Sequence, residues 1–141
     1  MAEKKSKLAE NKIKPTTDSV EDFIAQVTPE QKRADSYVLL NMMKRISGLE
    51  PVLWSNGYIG FGMRRHKSET SGREADWMRL GFAPRKANFS VYFGSYIDTH
   101  TDALQQLGKH KTGLGCLYIN KLADVRLEIL EQMIEEGSKL P

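Results

Sequence analysis

A single cysteine, Cys116, is the whole thiol content of this 141-residue chain. No disulfide can form within it, so a reducing, cytoplasmic setting is expected. No apolar run comes near the roughly 18 to 20 residues that cross a bilayer, which excludes a membrane-spanning helix. The opening MAEKKSKLAENKIK is charged and lacks the apolar middle of a signal peptide, so export is not expected. The histidines, His66, His100 and His110, are scattered without HxH, HExxH or CxxC spacing, and no usual zinc arrangement is present. There is no internal repeat. What is there is ordinary for a globular protein, 40% apolar and 28% charged, and long enough to bury one core without metal or disulfide help.

Charge is unevenly spread. Residues 1–14 carry five Lys against two acids, residues 15–59 four basic against six acidic side chains, residues 60–121 ten against five, and residues 122–141 two against five. The basic surplus therefore sits in a polar tail and in the middle of the chain. The tail, residues 1–14, has no apolar period and is expected to be disordered, leaving residues 15–141 as a single domain.

Ser19 predicts an N-cap for a first short helix, with Glu21 and Asp22 in its first turn, where carboxylates favour the exposed amides. Thr28-Pro29-Glu30-Gln31 predicts a second start, with Thr28 as cap and proline at the first helical position. Ala34, Val38, Leu39, Met42, Met43 and Ile46 then recur at helical spacing as far as Ser47, where Gly48 stops the helix. From Pro51 the period becomes two. Ile59, Phe61 and Met63, then Met78, Leu80 and Phe82, then Phe89, Val91 and Phe93 alternate with polar, small or aromatic residues and predict three strands. HKSETSGRE joins the first two and Pro84-Arg85-Lys86 turns between the second and third. A short helix over 101–107 ends at Gly108, a fourth strand holds Leu117 and Ile119, and a last helix is capped near Asp124, buries Val125, Ile129, Leu130 and Met133, and stops at Gly137. Glu128, Glu131 and Glu135 lie on its solvated side. Terminal helices around antiparallel strands predict an α+β two-layer sandwich, a sheet of four to six strands with the helices on one face.

The segment GKHKTGLG tests for a phosphate loop. Gly108 and Gly113 have the spacing, but Leu114 and Gly115 stand where a Walker loop needs lysine and Ser/Thr, and helix and strand come in the reverse order. The glycines read as a helix stop and turn residues, with Lys109 and Lys111 either solvated or in contact with an anion. Asp98, His100 and Asp102 read as helix-start caps rather than metal ligands. Cys116, with no fixed histidine partner, reads as a small buried residue rather than a nucleophile.

The side of the strands left by the helices is the more suggestive feature. Alternation puts Tyr58, Gly60, Gly62, Arg64, Trp77 and Arg79 there, followed by Ser90, Tyr92, Cys116, Tyr118 and Asn120. Rings beside arginines stack on ligand rings, and the basic middle segment favours an acidic partner. A small anionic ligand or an acidic protein segment is therefore expected on this face, with a homodimer or a covering loop as the competing use. Nucleic acid is disfavoured, since the domain without its tail is neutral, 16 basic against 16 acidic, and shows no named nucleic-acid motif. No enzyme class is indicated.

Three runs, SVEDFIAQVTPEQKR, SGREADWMRLGFAPRKANFSVYF and LGKHKTGLGCLYINKLADV, resemble successive motifs of the YdhG-like family of small, largely uncharacterised bacterial proteins, over about Ser19 to Glu136. The resemblance implies a frataxin-like α/β sandwich. It also implies an alternative role as an iron chaperone for iron–sulfur assembly, with iron as cargo and Glu21 and Asp22 as the candidate ligands. Within the motifs, Ser71, Gly72, Arg73, Glu74, Trp77, Arg85, Lys86, Lys109, Thr112, Tyr118 and Lys121 are expected around a shared polar site. Arg79, Tyr92 and Lys111 join them from the reading of the sheet face.

Overall fold

A computed structural model describes residues 13–67, 74–94, 100–113 and 115–139, with the backbone alone for 64–67 and 74–76. Ser19 caps α1 (Val20–Ala25), its Oγ accepting the amide of Asp22 at 3.1 Å. Helix α2 (Glu30–Ser47) ends at Gly48, whose φ of 70° lets its amide return to the Lys44 carbonyl at 2.9 Å. Its start differs from the expected cap. Pro29 itself is the boundary residue, its carbonyl accepting from the Arg33 amide at 3.1 Å, and no side chain caps the helix.

The sheet has six antiparallel strands, β1 (Pro51–Leu53), β2 (Ile59–Lys67), β3 (Glu74–Pro84), β4 (Phe89–Tyr92), β5 (Lys111–Thr112) and β6 (Cys116–Ile119), in the order β1-β2-β3-β4-β6-β5. β1 and β5 span too few residues to show a period of two. β2 and β3 run further than alternation marks them, taking His66, Lys67 and Glu74 into strand, and their register sets Arg65 opposite Asp76 and Lys67 opposite Glu74.

Helix α3 (Thr101–Leu107) precedes β5, and α4 (Leu127–Ser138) closes the fold. Asp124 does not cap α4. It ends a 3-10 turn, Leu122–Asp124, and Arg126 precedes the helix without a side-chain cap. The reason is that residues 124–126 already serve a neighbour: the Asp124 carbonyl accepts from Lys109, the Arg126 amide donates to Leu107, and Val125 bridges Gly108. Gly137 does not stop α4 either. It is buried in the last turn, where a Cβ would stand 2.3 Å from the Phe93 carbonyl oxygen, so its role is close approach of helix to sheet.

Among the described residues, the four α-helices cover one face of the sheet. Phe61, Phe82, Phe89 and Phe93 are fully buried beneath Leu39, Met43, Leu130 and Met133, each ring contributing on the order of 1.5–3 kcal/mol of burial. The α2 stripe is turned from the expected one: Ala34 and Val38 are exposed, while Asp35 and Ser36 are buried. Asp35 is satisfied there, Oδ2 accepting the Leu122 amide at 3.1 Å and Oδ1 accepting from Gln31 Nε2 at 2.9 Å. Among the described residues no helix is long and apolar enough to cross a membrane.

The opposite face holds a second, smaller cluster of Trp54, Tyr58, Met78 and Ala83. Ile13 packs against it as residues 13–16 run beside β1, with Thr16 donating to Leu53 and Ser55 to Lys14, both at 2.8 Å. Ile13 and Lys14 therefore belong to the folded domain, which starts earlier than residue 15. Residues 1–12 lie outside the described residues.

Candidate functional site

The side chains of β3 set which groups reach this second face, and strict alternation fails there. Met78 does not follow Leu80 and Phe82 to the helix side; its Sδ lies within 2.8 Å of where a Gly81 Cβ would be, in the Trp54 cluster. Arg79 goes the other way. It lines a cavity of about 270 Å3 with Ile46, Ser47, Leu49 and Ser138, at the C-terminal ends of α2 and α4. Gly62, φ 76°, makes room for it, since a Cβ there would meet Arg79 Cδ at 2.8 Å. The expected place of Arg79 beside Trp77 on the uncovered face is thus corrected.

Rings do assemble on that face. Trp77 stands 5.5 Å from Trp54 and meets Tyr92 edge-on at 6.3 Å between centroids. In the adjoining register Tyr92 pairs with Cys116, and Tyr118 pairs with Ser90 on one side and Lys111 on the other. Trp77, Tyr92 and Tyr118 are half-buried, and Lys111 is exposed. Gly113 lies against Tyr118, where a Cβ would come 3.0 Å from the hydroxyl.

Beside these rings, the Tyr58 hydroxyl bonds to that of Ser90 and lies 3.4 Å from Cys116 Sγ. Burial first, and the Cys116 contact second, push the Tyr58 phenol well above its ordinary range, against the opposing pull of Ser90 and the Arg85 charge. It stays a neutral phenol at physiological pH. The Arg85 guanidinium sits 5.2 Å from the Tyr58 ring centre and donates to the Asn56 carbonyl at 2.7 Å. Gly57 permits this, because a Cβ would come 3.0 Å from Arg85 Nη1.

Of the remaining expected site residues, Lys86 shares the β3–β4 turn with Arg85, and Thr112 pairs with Leu117 at the sheet edge. Lys109 and Lys121 flank the open end of the β5–β6 hairpin, both exposed. Glu74 heads β3 opposite Lys67. Ser71, Gly72 and Arg73 lie outside the described residues, as does Leu114. Gly108 supports the turn reading of its loop, since a Cβ would stand 2.5 Å from the Asp124 carbonyl oxygen.

Glu21 and Asp22 are exposed on α1, and among the described residues no group of three or more His, Cys, Asp or Glu side chains is placed to hold a metal ion. His100 is the boundary residue of α3, without a side-chain cap. It is buried against Phe93 at 5.4 Å, with Nδ1 3.9 Å from Glu136 Oε1. Asp98 lies outside the described residues.

One cation escaped the sequence reading. Lys32 Nζ donates to the carbonyls of Arg85 at 2.5 Å and Lys86 at 3.1 Å, 5.6 Å from the Phe89 ring centre. Nothing in the local sequence signals it, because its partners lie more than fifty residues away. The chain matches no protein-family model, no curated protein and no solved structure.

Proposed function

We propose that this protein is a non-catalytic binding module that takes a small anionic ligand, or an acidic protein segment of the same chemistry, on the sheet face away from the helices. The observation that carries it is the half-buried ring set of Trp77, Tyr92 and Tyr118, with Arg85 at one end and Lys111 at the other. Rings supply flat apolar contact, and the two cations select negative charge. Tyr58 is a neutral hydrogen-bonding group in this reading, and Ser90 and Cys116 form the floor. The same reading keeps the chain YdhG-like and frataxin-like as a proposal, on its three motif runs and its one-sided helical layer. Nothing among the described residues favours the iron-delivery alternative.

Titration of the full chain with adenosine monophosphate, phthalate and an oligoglutamate peptide, followed by tryptophan fluorescence and calorimetry, tests this. At least one probe is expected to bind, and Trp77→Ala and Tyr118→Ala are each expected to weaken it tenfold or more with an unchanged circular dichroism spectrum. Full binding by both variants would remove the face as the site. Sedimentation equilibrium tests the competing use: a dimer broken by Trp77→Ala would assign these rings to self-association.

A further inference from the structure

We propose a second anion site, on the helix side of the β3–β4 turn: a recess of about 360 Å3, lined by Phe23, Val27, Thr28, Lys32, Pro84 and Lys86, that takes a small carboxylic acid with an apolar body. Its volume lies in the roughly 300–1,000 Å3 range of small-molecule pockets. The recess joins two features that a carboxylate with an apolar body satisfies together.

The first is charge. Lys32 and Lys86 both line it, and among the described residues no carboxylate lies within ion-pair distance of either. Lys32 spends two of its three ammonium hydrogens on neutral carbonyls, which leaves one donor and a full charge. Its burial holds its pKa below the usual lysine range, a cost to the charged form that an incoming anion offsets. Thr28 lines the recess just before α2, whose first turn carries no side-chain cap. Glu30, the acid of that turn, is exposed and does not line the recess. The second is an apolar wall of Phe23, Val27 and Pro84 for the body of the ligand.

This site shares Arg85, and no other residue, with the ringed face. The Arg85 guanidinium donates to the Asn56 carbonyl and stands over the Tyr58 ring, whereas its backbone carbonyl meets Lys32. The two proposals therefore fail separately.

Benzoate is the probe, with benzamide as its neutral counterpart, titrated into the 15N-labelled full chain by NMR. Benzoate is expected to shift the amides of Val27, Thr28 and Lys32 and to bind at least tenfold more tightly than benzamide. Lys86→Met, on an exposed turn, and Lys32→Met are each expected to weaken benzoate fivefold or more at these amides, while Trp77→Ala leaves the shifts of Val27, Thr28 and Lys32 unchanged. Equal affinity for benzamide, no binding at millimolar benzoate, or unchanged binding by a folded Lys86→Met chain overturns the proposal. Loss of the benzoate response in Trp77→Ala does so too, by moving the site to the ringed face.

Discussion

Tyr58 and Ser90, 32 residues apart, hydrogen-bond through their hydroxyls across the helix-free face of the sheet. Both side chains are buried, and the Tyr58 hydroxyl has Cys116 Sγ, at 3.4 Å, as its other partner. Tyr58→Phe is expected to cost about 1–2 kcal/mol, and Ser90→Ala a similar amount, because each leaves a buried partner without its bond. The double variant is expected to cost less than the two added together. Urea denaturation of the three variants measures this; full additivity would mean that the two hydroxyls do not couple.

Asp35 ties α2 to the 3-10 turn before α4 through the Leu122 amide. Asp35→Ala is expected to destabilise by roughly 1–3 kcal/mol, since it strands a buried amide. Asp35→Asn retains one acceptor oxygen and is expected to lose less. Equal midpoints for wild type and Asp35→Ala in denaturant would show that water satisfies Leu122 instead.

Burial holds the His100 pKa below its ordinary 6.5, with Glu136 pulling weakly the other way. The folded protein thus prefers neutral imidazole, and between the folded value and 6.5 the unfolded chain binds more protons. Stability from this site is complete above about pH 6.5 and falls as pH drops through that window. Denaturation midpoints at a series of pH values should show this slope in wild type, and His100→Phe should flatten it; an unchanged slope would place the effect elsewhere.

Gly137→Ala reverses a familiar rule. In most helices alanine gains about 1 kcal/mol over glycine, but here its methyl would meet the Phe93 carbonyl at 2.3 Å. A net loss of about 1–3 kcal/mol is expected, as for other overpacked sites. A raised melting temperature would show that α4 can shift away from β4.

Local signals read well where a residue acts on its own neighbours. Ser19 caps α1, Gly48 ends α2 and Gly108 follows α3 at the expected positions, because a cap depends on groups within one turn. Phe61, Phe82, Leu117 and Ile119 face the helices as alternation predicts. Local signals are overridden where a distant segment claims the same backbone. Asp124 is drawn away from α4 by Lys109, and the side chains of Met78 and Arg79 change sides beside Gly62.

The candidate site divides along the same line. Trp77, Tyr92 and Tyr118 could be placed on one face from their spacing, whereas Lys32 and Asn56 join Arg85 only when α2 and the turn after β1 arrive beside it.

The order of residues by itself determined the Ser19 cap, the Gly48 stop, the period of most strand positions, the charge layout and which face of the sheet would be aliphatic, since all of these follow from interactions a few residues long. Only the tertiary structure decided that Arg79 lies among helix ends, that Gly137 is a contact point, and that Lys32 meets the β3–β4 turn. Those outcomes depend on which surfaces come into van der Waals contact, and no local period carries that information.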